Sequence, residues 1–233
     1  MKTTKTLLLV LFTSLSIYKG YSQDTKALEA SLGGLTAVYK SMGVTDQSLG
    51  AYDDATKLFE NGDNDGALKK VDEAIKLSQE IYPYSLLKAQ ILVQNKDYAK
   101  ALKATEKGIK SIEAFNTNYS TELSQEEKAL LKNDYYNFYS QQGVAYMGID
   151  LNGNFKKAIE SFEKCIEYDN SNSGTPYAYI SYIYSYKYQV TPLPKFKTSS
   201  CENYSKAKER LASTPSYEKN IVETYLSNIT ICN

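Results

Sequence analysis

The sequence predicts an all-α fold made of consecutive helix-turn-helix units, and three observations predict it. Three segments of the chain superimpose on one another, small residues recur inside them at a fixed spacing, and only 5 prolines and 12 glycines interrupt 233 residues. That length suits one large domain or a short array of repeats. A chain that is 42% hydrophobic and 23% charged has the balance of a globular protein rather than a disordered one. The composition has one oddity: 22 tyrosines beside no tryptophan and no histidine.

The first element, residues 1–22, reads as a signal peptide. Lys2 and Lys5 supply a positive start, Leu7 to Phe12 open an apolar stretch that runs to Ile17, and Gly20 and Ser22 are the small residues before a cut at Ser22–Gln23. The alternative is an uncleaved anchor, but the apolar stretch falls short of the ~20 residues of a membrane span. No cysteine follows it, which argues against a lipoprotein anchor. The expectation is export to a periplasm or cell envelope, or secretion. Residues 23–47 follow as an N-terminal capping helix, with Leu28, Leu32, Leu35 and Tyr39 along one side of Asp24 to Met42 and a break at Gly43.

The repeats come next. Asn61 to Leu68 leads to Ala74-Ile75, Asn95 to Leu102 leads to Gly108-Ile109, and Asn152 to Ile159 leads to Cys165-Ile166. In each, a polar turn opens a helix with Ala before Leu or Ile, and a second small residue follows seven positions on. Ala67 and Ala101 are 34 residues apart. Two units are therefore expected over 48–115, with Ala55 and Ala89 as the small residues of their first helices. A linker and the start of a long helix fill 116–135, where Ser124 and Glu127 form a capping box. A third unit covers 136–172. It has three extra residues within Met147–Leu151, so its helix should run longer or its turn open. A degenerate fourth unit covers 173–215, broken by an inserted loop at 187–202 because Pro192 and Pro194 cannot continue a helix. Residues 216–233 read as a C-terminal capping helix started by Ser216, with Tyr217, Ile221, Tyr225 and Ile229 at helical spacing.

These segments resemble the tetratricopeptide repeat (TPR) over most of Leu49–Pro215. Ala67, Ala101 and Ala158 match the small residue where the two helices touch, and Ala74, Gly108 and Cys165 match the second small position. Of the bulky residues between them only Phe162 is aromatic, Val71 and Thr105 standing at the other two places. Tyr139, Gly143 and Tyr146 match the first helix of the third unit. The resemblance implies a right-handed superhelix of hairpins and a concave groove that binds a protein or peptide partner. In its register Tyr52, Phe59, Leu86, Gln90, Val93, Asn137, Ser140, Tyr182 and Tyr186 line that groove, with Tyr177 and Tyr184 going to the core. The alternation of tyrosines from Tyr177 to Tyr188 also fits a strand. Aromatic faces further suit glycans, and a purely structural envelope component, oligomeric or not, is a third expectation.

Little points to chemistry. Without histidine there is no Ser-His-Asp triad, Cys-His pair or His-ligated zinc. No glycine-rich phosphate loop is present. Asp63-Asn64-Asp65-Gly66 begins like a calcium loop, but its twelfth place holds Ala74 where a bidentate Glu is needed. The chain has 27 basic and 27 acidic residues, and loss of residues 1–22 would leave 24 against 27, so nucleic acid is not an expected partner. The expectation is a non-enzyme with no catalytic residues, no metal and no cofactor. Asn118-Tyr119-Ser120 and Asn228-Ile229-Thr230 match the glycosylation pattern, which is too short to carry weight. Of three cysteines, Cys165 falls at a core-facing helical position, leaving Cys201 and Cys232 as the pair available for a disulfide.

Overall fold

A computed structural model describes residues 42–79, 81–121 and 123–232. The signal peptide and nearly all of the N-terminal capping helix expected from the sequence lie outside the described residues. Those residues form eight helices and no strand: α1 (Asp46–Glu60), α2 (Asn64–Leu77), α3 (Tyr82–Gln94), α4 (Tyr98–Tyr119), α5 (Gln125–Tyr168), α6 (Thr175–Val190), α7 (Pro194–Glu209) and α8 (Ser216–Ser227). They pack as successive antiparallel hairpins: α1 with α2, α3 with α4, the two arms of α5 with each other, and α6 with α7. Close packing otherwise runs between neighbouring hairpins, as in a solenoid.

Small residues make the nesting close. Ala55, Ala67, Ala74, Ala89, Ala101, Ala158 and Cys165 are all fully buried. A methyl group added at Gly108 of α4 would run into the Phe138 ring of α5, and one at Gly143 would meet the Phe162 ring at 2.7 Å. Helix axes in contact stand ~8–10 Å apart, so a ring from one helix needs a gap on the next.

The turns of the first two hairpins are copies. Asp63 and Asp97 each cap the second helix, accepting from the Gly66 and Lys100 amides at 2.9 and 3.4 Å. Gly62 and Lys96, also 34 residues apart, both take left-handed backbone angles, at φ +83° and +61°. The third hairpin has no such loop. Its three extra residues lengthen the helix, and the chain reverses at Asp150 alone (φ −163°, ψ 98°), whose carboxylate then accepts from the Asn152 amide at 3.0 Å. That the arms reverse is shown by Ser161 donating to Gln142 at 3.1 Å and by the Cys165 thiol lying 3.4 Å from the Tyr136 carbonyl.

The fourth hairpin settles one alternative and corrects one expectation. The tyrosine-rich stretch is helix, not strand, and the inserted loop at 187–202 is absent: α6 continues to Val190, only 191–193 connect, and α7 begins at Pro194. Proline is tolerated in a helix's first turn because its missing N–H would have no partner there, so Pro194 starts the helix it was expected to break. A second, smaller correction concerns α8, whose N-cap position is Pro215 rather than Ser216. The pairing of Cys201 with Cys232 is present as a disulfide, with Cα atoms 5.2 Å apart, and Cys165 is free and buried.

Two apolar clusters form the interior. One unites α1, α2, much of α3, the far part of α4 and the start of α5, around Tyr82, Phe115 and Phe138. The other unites the end of α3, the start of α4, most of α5 and the helices from α6 to α8, around Phe162, Tyr179 and Tyr225.

Candidate interaction face

The tyrosines of α6 are sorted by the helical turn. Tyr179 stacks on Phe162 of α5, rings 4.4 Å apart and nearly parallel. Tyr177 is buried under the Arg210 guanidinium, 4.5 Å from its ring centre. Tyr184 is half-buried, 6.2 Å from the Phe196 ring. Tyr182 turns toward α8, where the Tyr225 ring meets it edge-on at 5.2 Å and meets Tyr179 at 4.5 Å. Burial first, then the phenols of Tyr179 and Tyr182, holds the Tyr225 hydroxyl well above its ordinary pKa.

At the other end of α8 sits Glu218, a carboxylate only 3% exposed. Ser173 donates to it at 2.5 Å, Thr175 at 2.7 Å and Tyr136 at 3.3 Å. Burial raises its pKa, and those three hydroxyls pull the other way by stabilising the charge. One side chain thereby joins α5, the α5–α6 connection, α6 and α8. The Gly174 amide donates to Thr214 at 2.8 Å beside it. Cys165 lies near this carboxylate, and burial pushes its thiol up, so it is neutral and poorly nucleophilic.

The structure overturns the expectation of a groove open along all nine of the residues expected to line it. Phe59 and Leu86 are buried in the first cluster, and Val93 and Tyr182 are buried in the second. Asn137 and Ser140 of α5 are buried as well, each 5% exposed. Tyr52, Gln90 and Tyr186 keep partial exposure, Tyr52 with its ring 5.0 Å from Tyr84. The physical reason is twofold. In a chain without tryptophan, tyrosine fills the large core positions, and α8 covers the face that Tyr182 was expected to present. Sequence reasoning missed Glu218 and its three donors. An acid in a helix's first turn normally complements the helix dipole from solvent, and no local signal marks this one as buried.

Among the described residues, no group of three or more Cys, Asp or Glu side chains is arranged to hold a metal ion, and no helix is long and apolar enough to cross a membrane.

Residues 137–172, the two arms of the third hairpin, match the family model described as Tetratricopeptide repeat. No curated protein matches the chain. Solved structures that resemble it include MamA 41-end from Desulfovibrio magneticus RS-1, 16% identical, with a TM-score of 0.33, covering 74% of this chain and 99% of that one. The MamA RS-1 ArsTM double mutant has the same identity and coverage, with a TM-score of 0.32.

Proposed function

We propose that this chain, which carries a tetratricopeptide repeat within an all-helical array of hairpins, is a non-enzymatic scaffold that holds a protein partner in the cell envelope. The carrying observation is the third hairpin, matched to the repeat family over 137–172, its two arms brought close at Gly143 and its Phe138 ring set into the Gly108 gap of the hairpin before it. Arrays nested in this way present an extended face to a partner. The Cys201–Cys232 bridge supports the envelope reading, since disulfides persist in oxidising compartments. The sequence start supports it too, and N-terminal sequencing of chain recovered from an envelope fraction should begin at Gln23. An intact Met1 there would overturn the export reading.

Within the face, Gln90 and Tyr186 are the expected contacts, because they keep partial exposure on α3 and α6. The test is recovery of partners with the full-length chain, followed by direct titration of each recovered protein against wild type and the Gln90→Ala/Tyr186→Ala variant. The variant should bind at least tenfold more weakly, about 1.4 kcal/mol, with unchanged helical circular dichroism. Equal affinities for every recovered protein would remove these residues from the face.

A further inference from the structure

Helix α8 does not pair into a hairpin of its own. It runs alongside α6 in the same direction: Glu218 meets Thr175 at one end, and Tyr225 meets Tyr179 and Tyr182 two turns later. Its buried side is one stripe, Glu218, Ile221, Val222, Tyr225 and Leu226, while Asn220, Glu223 and Ser227 face solvent. The stripe reaches past the fourth hairpin to Tyr136 of the third. After α8 the chain turns back, and Cys232 closes the disulfide to Cys201 on α7; both cysteines are half-buried and within reach of a small thiol.

Two buried hydroxyls in this half of the molecule lack hydrogen-bond partners. The Ser185 hydroxyl, one turn beyond Tyr182 on α6, is buried in a residue 2% exposed and has no hydrogen-bond partner. The Tyr98 hydroxyl of α4, which is near enough to Tyr225 to raise its pKa, is also buried and unpartnered. A buried polar group without a partner is costly, so an occupant offering a polar atom to the Tyr98 hydroxyl beside Tyr225 would gain a contact that α8 does not make.

We infer that the face formed by α5 and α6 is a groove for an amphipathic helix, filled in cis by α8 while the Cys201–Cys232 bond is closed and open to a partner protein's helix once that bond is reduced. This deepens the scaffold reading and rests on it. The partner helix carries the chemistry of α8: a carboxylate in its first turn, then apolar residues at three, four, seven and eight positions further on, the third of them aromatic. In the opening step a dithiol gives two electrons and two protons. The sulfur–sulfur bond breaks, Cys201 and Cys232 become thiols, and the dithiol becomes a disulfide. A helix tethered at both ends competes at a high effective concentration, and one tethered at a single end competes less well.

The experiment keeps the whole chain and introduces a site-specific protease sequence between Ala212 and Ser213, at the exposed connection before α8. After cutting, the C-terminal fragment stays attached through the disulfide. Dithiothreitol should release it on gel filtration with the remaining helicity intact. A fluorescent peptide of residues 213–233 should then bind the emptied protein at least a hundredfold more tightly than it binds the cut, oxidised one. A Glu218→Ala/Tyr225→Ala peptide should bind at least tenfold more weakly. A fragment that stays bound through reduction and dilution, or whose departure unfolds the rest, would overturn the inference by making α8 part of the permanent core. Cys232→Ser in the uncut chain gives a second measurement: amide exchange over 216–229 should quicken at least tenfold while α3–α5 hold, and unchanged protection would overturn it. Neither measurement involves Gln90 or Tyr186, so failure here leaves the titration of partners independent.

Discussion

Single residues show where this chain tolerates electrostatic cost. Asp134, on the first arm of α5, has its carboxyl pushed up to about 7 by burial, against the opposing effect of a hydrogen bond from Tyr82. A carboxyl whose folded pKa lies above its unfolded one binds more protons folded than unfolded. Stability therefore falls as pH rises from about 4 toward 7, and the loss is complete above that. Asp134→Asn keeps an acceptor for Tyr82 and removes the charge. It should raise the unfolding free energy from urea titration at pH 8 by roughly 1–2 kcal/mol, once the group's partial exposure is discounted, and change little at pH 4. Equal effects at both pH values would show that the burial of this charge is not what the substitution relieves. The sequence offered no sign of this residue. Ala101 and Ala158, by contrast, were legible as contact residues, because their spacing repeats while an isolated Asp has nothing to repeat against.

At the scale of helices, close approach decides. The Gly108 gap receives the Phe138 ring, so Gly108→Ala places a methyl group where the ring already is. Overpacking of this kind costs about 1–3 kcal/mol, although alanine is intrinsically the better helix former by about 1 kcal/mol. Thermal unfolding should show a net loss of stability, and recovery of part of it in Gly108→Ala/Phe138→Leu would confirm the collision as the cause. Element identity was largely readable from the chain. Hairpin boundaries followed from the copied turns at 61–63 and 95–97, because capping Asp and left-handed positions are local features. At 187–202 the chain is mostly helical where a loop is expected because Pro194 stands in the first turn of α7, where its ring is harmless. The groove residues failed for another reason. Register says which way Tyr182 points along a repeat, and only tertiary structure says that Tyr225 is waiting there.

For the whole molecule, the disulfide is the longest covalent constraint, joining residues 31 apart. In the chain-entropy account a loop of that length stabilises by roughly 3–4 kcal/mol. Replacing both cysteines with serine should lower the denaturant midpoint accordingly, and an unchanged midpoint would mean that the unfolded chain is not what the bridge restrains.

The reversal at Asp150 bears on the array's shape. The first two hairpins turn through three-residue connections, 61–63 and 95–97, that could absorb a change in the angle between their arms. The third turns on one residue's backbone, with that residue's own carboxylate fastened to the next turn of helix. It has no slack to give. Whatever flexing the molecule undergoes, the angle between the two arms of the third hairpin is set by a single torsional joint at Asp150.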